Sequence, residues 1–153
     1  MIEPADYTLA VRSTGPHTGV ALNDTAGLPS LEVSAPPEFG GPPGVWSPEH
    51  LFIASVASCF MTTFMAIARL SKLEVEELDV PAEGTIRRDE DRRYRFTRLV
   101  LRPLIVIAEG ASVDRTERIV RRAGAACLVT RSSSPPGAVE PVIEVAELPV
   151  GAV

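Results

Sequence analysis

Cysteine is nearly absent: Cys59 and Cys127 are the two cysteines in a chain of 153 residues. That is too few for a disulfide-stapled secreted scaffold. No Cys-x-x-Cys and no Cys/His cluster occurs, which argues against a structural zinc site. No long basic tract or basic helix face stands out, and the net charge is −5. Nucleic acid is therefore not an expected partner. The start, MIEPADYT, lacks the basic-then-apolar pattern of a signal peptide. A cytoplasmic protein is expected, and there two free thiols are either buried packing or redox chemistry.

Hydrophobic residues make up 45% of the chain, enough for a packed core in one domain spanning 1–153. Residues 51–68, LFIASVASCFMTTFMAIA, form an 18-residue run without a charge. That reaches the lower limit for a membrane span. Ser55, Ser58, Thr62 and Thr63 interrupt it, and the amphipathic strands elsewhere need a helix to cover them. The run reads as a helix that is apolar all round because it is buried all round, with no membrane involved.

Residues 5–12 and 28–34 read as strands, with turn-rich STGPHTG and NDTAG between them, and suggest an antiparallel meander. Residues 35–48 hold five prolines and three glycines, a loop long enough to lie over a site. Ser47-Pro48-Glu49 is a helix start: serine caps, proline suits the first turn, and glutamate faces the positive dipole end. This helix is expected to run to about Leu70. Residues 76–87 and 93–108 read as two long strands joined by the charged tip RRDEDRR, which reads as solvated rather than anion-binding. A second helix is expected over 112–126, with Asp114 and Glu117 spaced as a capping box. Thr116, Val120, Ala123 and Cys127 share one face, while Arg115, Arg118, Arg121 and Arg122 lie mainly on the others. RSSSPPG breaks that helix, and PVIEVAEL is a last strand. The order is α+β.

The segment SPEHLFIASVASCFMTTF resembles the central helix of the OsmC/Ohr family, whose pattern is Pro-Glu-x-Leu with a cysteine ten residues after the glutamate. Here these are Pro48, Glu49, Leu51 and Cys59, followed by Phe60. AGAACLVTRSSS around Cys127 is similar to the family's second-cysteine region, although Leu128 stands where the family usually has proline. APPEFGG resembles the Pro and Gly-Gly stretch before the helix. The resemblance implies an OsmC-like fold: antiparallel β-sheets around two central helices, in an intertwined homodimer. It also implies reduction of organic hydroperoxides to alcohols. Cys59 would attack and become a sulfenic acid, Cys127 would resolve it as a disulfide, and a dithiol, typically lipoyl-linked, would restore both thiols. No cofactor or metal is implied.

Glu49 and Cys59 lie about 15 Å apart along one straight helix. For both to serve one site, the helix must break or the carboxylate must come from a second chain. The resemblance also implies an arginine that activates the cysteine, and that position falls on His17. Arg12, five residues earlier, is the other candidate. A histidine without perturbation is mostly charged only below about pH 6.5. His50 reads as a first-turn surface residue. Phe39, Trp46 and Phe60 are candidates for a substrate-pocket wall, with Met61, Phe64 and Met65 more simply core. The rival reading is a dimeric small-molecule-binding protein with little turnover.

Overall fold

The computed structural model describes residues 4–15 and 19–146. The chain divides into two compact units, Met1–Phe52 and Ile53–Val153.

In the first unit, β1 (Ala10–Ser13), β2 (Val20–Asp24) and β3 (Leu31–Ser34) form an antiparallel meander in that order. The meander was legible, but β1 and β3 begin later than expected. β2 is built from VALND, and so takes in the first two residues of the turn-rich NDTAG. Gly27, at φ 80°, supplies the left-handed backbone in the turn before β3. The proline-rich loop has one turn of 3-10 helix, Pro37–Phe39, closed by Gly40. Its return pairs Val33 with Trp46, and the Ser34 N–H donates to the Trp46 carbonyl at 2.9 Å. The loop hands over to α1 (Pro48–Leu70). Ser47 caps α1: its Oγ accepts from the His50 N–H at 3.2 Å.

In the second unit, α1 is followed by β4 (Val75–Asp79), β5 (Ala82–Arg88), β6 (Tyr94–Leu101) and β7 (Leu104–Ile107). Each expected long strand is thus two. Pro81 and Pro103 sit at the two breaks, where a residue without an N–H cannot continue a ladder. The tip between β5 and β6 is a tight turn, with Arg92 at φ 64° and the Asp89 N–H donating to the Arg93 carbonyl.

Next come α2 (Val113–Ala126), α3 (Leu128–Ser132), β8 (Gly137–Val139) and β9 (Val142–Val145). The sheets run β4-β7-β9 and β5-β6-β8. They are mixed rather than purely antiparallel: β8 runs parallel to β6, and β9 parallel to β7. The chain reaches both after the α2–α3 crossover, the connection that parallel pairing requires.

Two further expectations are corrected. The cap of α2 is Ser112, whose side chain accepts from the Arg115 N–H, and not an Asp114/Glu117 box. Ser112 is the residue just outside the first turn, and Glu117 instead pairs with Arg121 at 3.4 Å. Nor is α1 buried all round. Val56, Phe60, Phe64 and Ala68, spaced by four, form its buried stripe. Phe60 and Phe64 stack with centroids 6.2 Å apart. Ser55, Ser58, Thr62 and Met65 are exposed. Leu99, Val100, Leu101, Ile105, Ile107, Ile119, Val120 and Ala123 complete the core of the second unit.

Candidate functional site

The second unit brings its two thiols together. Cys59 lies mid-way along α1, half-buried. Cys127 sits at the joint between α2 and α3. Its N–H closes α2 on the Ala123 carbonyl at 2.9 Å, and its own carbonyl accepts from the Arg131 N–H at 3.1 Å as α3 begins. Thr116, Val120, Ala123 and Cys127, expected on one face, are all buried. That stripe steers the joint inward. Arg115, Arg118, Arg121 and Arg122 stay exposed on the other faces.

The bend at Cys127 turns the first amides of α3 toward α1. The Val129 N–H donates to Cys59 Sγ at 3.5 Å. Burial pushes the Cys59 pKa up, but hydrogen bonds from the Val129 N–H, the Cys127 thiol, the Leu128 N–H and the Thr63 hydroxyl outweigh it and leave the value lowered. Cys127 moves the other way. Burial raises its pKa, the hydroxyl and N–H of Thr130 oppose this, and Cys59 adds to the rise. The Thr130 hydroxyl donates to Cys127 Sγ at 3.2 Å. One thiol is therefore the readier thiolate, and the other is held as a protonated neighbour. Leu128 does not prevent this, since a leucine at that position leaves its N–H in place.

The second unit also holds a cavity of about 670 Å³, its walls including Val56, Phe60, Leu99, Val120, Val139 and Thr130 but neither cysteine. Of the expected pocket residues, Phe60 lines it, although its side chain is as fully buried in the core as that of Phe64.

The other candidates belong to the first unit. Phe39 and Trp46 are exposed on the proline-rich loop. Trp46 meets His50 edge-on, centroids 6.1 Å apart, and both border a small cavity of about 260 Å³ with Gly44 and Val45. His50 is a first-turn surface residue as expected, with Nδ1 2.9 Å from Ser47 Oγ. Glu49 Oε2 is buried and has no hydrogen-bond partner among the described residues. Arg12 is held in an ion pair with Asp24. That bond and the adjacent charge raise the Arg12 pKa, while Ser30 and Arg12 lower that of Asp24. His17 lies outside the described residues. Among the described residues, no group of three His, Cys, Asp or Glu side chains is placed to hold a metal.

Sequence reasoning missed the Leu128 and Val129 amides, Thr63 and Thr130. The hydroxyls carried a signal, each lying three or four residues beyond a cysteine in a helix. The amides carried none.

A mixed α+β chain with an amide-cradled thiol beside a buried second thiol belongs to the class of dithiol proteins. The family model described as OsmC-like protein matches residues 41–140, and the chain belongs to that family. It is 29% identical over 144 residues to the organic hydroperoxide resistance protein OhrA of Bacillus subtilis, covering 92% of this chain and 96% of that one. An OsmC-like protein of unknown function from Vibrio cholerae superposes with a TM-score of 0.82 at 21% identity, over 91% of this chain and 100% of that one. The organic hydroperoxide resistance protein OsmC of Legionella pneumophila has a TM-score of 0.71 at 25% identity, over 93% and 100% of the two chains.

Proposed function

We propose that this protein reduces organic hydroperoxides through Cys59 and Cys127. The observation that carries the reading is the Val129 N–H aimed at the sulfur of a cysteine whose pKa is lowered, beside a second thiol whose pKa is raised. Similarity to proteins described as conferring organic hydroperoxide resistance supports it.

The Cys59 thiolate attacks the terminal peroxide oxygen. The O–O bond breaks, the terminal oxygen stays on Cys59 with its proton as a sulfenic acid, and the alkoxide leaves and takes from solvent the proton that the Cys59 thiol had released, giving the alcohol. The Cys127 sulfur then attacks Cys59. The S–S bond forms and the S–O bond breaks, and hydroxide leaves with the Cys127 proton as water. An external dithiol, lipoyl-type or other, reduces the disulfide by exchange. No cofactor takes part, and neither nucleic acid nor a membrane is a partner in this cytoplasmic reaction.

The working form in this reading is a homodimer. The helical distance between Glu49 and Cys59 means that the carboxylate serving one Cys59 comes from the neighbouring chain. The unpartnered Glu49 oxygen and the uncovered face of α1 support it. His17 supplies the positive charge that Arg12, held by Asp24, does not. Phe39, Trp46 and Phe60 contact the organic part of the substrate.

Turnover of cumene hydroperoxide with a dithiol tests the reading. Cys59→Ser falls to the uncatalysed rate, and Cys127→Ser consumes about one equivalent before inactivating. Undiminished turnover in Cys59→Ser contradicts it.

A further inference from the structure

We infer that Thr130 is a positioning residue for the resolving step, holding the Cys127 sulfur in line with Cys59 and stabilising the charge that builds on it as the disulfide closes. The inference rests on the cysteine chemistry proposed above and concerns a residue to which the resemblance gives no role.

Three contacts fix Thr130. Its hydroxyl donates to Cys127 Sγ at 3.2 Å. Its carbonyl accepts from both the N–H and the hydroxyl of Ser133, at 3.2 and 2.8 Å. Its methyl packs toward β8, where a Cβ added to Gly137 would stand 3.4 Å from Thr130 Cγ2. The side chain therefore has little freedom to turn its hydroxyl elsewhere.

Cys127 needs such a partner. Its side chain is fully buried, so water is not there to receive the charge when its proton leaves. In the resolving step the Cys127 S–H bond breaks while its sulfur takes the place of hydroxide on Cys59. Negative charge passes through Cys127 Sγ, and a hydroxyl donor is stronger toward sulfur carrying that charge than toward the neutral thiol. The same bond selects the rotamer that presents the sulfur to Cys59. Attack of Cys59 on peroxide makes no demand on this bond, so the two steps separate.

The test compares Thr130→Val, Thr130→Ala and Thr130→Ser with the unmodified protein in single turnover. Peroxide loss and appearance of the Cys59–Cys127 disulfide are followed separately. In Thr130→Val and Thr130→Ala, disulfide closure slows by about ten-fold relative to peroxide loss in the same protein, the scale of one lost hydrogen bond to a charged group, and Cys59 sulfinic acid accumulates under excess peroxide. Thr130→Ser, which keeps the hydroxyl and loses only the methyl, closes at nearly the original rate. A second arm oxidises the same proteins with diamide, which forms the disulfide without any peroxide. It shows the same order of closure rates even if peroxide turnover fails, so failure of the peroxidase reading is distinguishable from failure of this one. Closure at the original rate in both hydroxyl-free variants overturns the role of Thr130. Closure as slow in Thr130→Ser as in Thr130→Val does so too, because it would assign the effect to the methyl.

Discussion

The two cysteines differ in what surrounds each sulfur. Cys59 receives the Val129 N–H, whereas Cys127 is fully buried and receives the Thr130 hydroxyl. A lowered pKa fills the thiolate state at lower pH, and a raised one empties it to higher pH. Alkylation of the reduced protein by iodoacetamide, followed by peptide mass mapping, is therefore expected to label Cys59 with a midpoint below that of an ordinary thiol. The rate then levels as pH rises further. Cys127 labels only at higher pH. Equal midpoints, or the reverse order, would remove the assignment of attacking and resolving roles. The cysteines themselves and the buried stripe leading to Cys127 were legible, because spacing of four, three and four marks a helix face. The donors to Cys59 were not. Backbone amides have the same chemistry under every side chain, and their direction depends on a bend at Cys127 that periodicity does not encode. The expectation of a cationic side chain beside Cys59 named one source of charge stabilisation, and these amides add a second.

At the scale of elements, local chemistry was read more surely than length. The cap at Ser47 is one case: serine before Pro-Glu named the start of α1, and the His50 N–H bond to Ser47 Oγ realises it. Replacing Ser47 by alanine is expected to lower the unfolding free energy by about 1 kcal/mol in urea titration. No measurable change would mean that the cap contributes nothing to this helix. The breaks at Pro81 and Pro103 were visible in the sequence, yet each segment reads as one strand; RYRFTRLVLRPLIVI alternates only in part, and it divides where Pro103 has no N–H to offer a ladder. β8 has three residues and α3 has five. Neither is long enough to show a period, so both were hidden in a stretch rich in serine and proline. Yet α3 is the element that carries the amides to Cys59.

At the scale of the whole molecule, α1 poses the main question. By length and composition it is apolar enough to cross a membrane, yet only 22% of its most apolar window is buried. Along its middle the exposed side chains, Ser55, Ser58, Thr62, Met65 and Ala66, are mostly small and weakly polar, which suits close packing against protein. A second copy of the chain covers this face in the proposed assembly, and sedimentation in dilute solution is expected to give twice the 16.4 kDa chain mass. A stable monomer would leave Glu49 without the partner the proposal gives it. The central claim is the cysteine pair, and it is tested most directly by adding one equivalent of organic hydroperoxide to the reduced protein, blocking remaining thiols at once and mapping the peptides. The account expects the peroxide to be consumed and Cys59 joined to Cys127 with neither thiol labelled. Persisting peroxide with both cysteines labelled would contradict it.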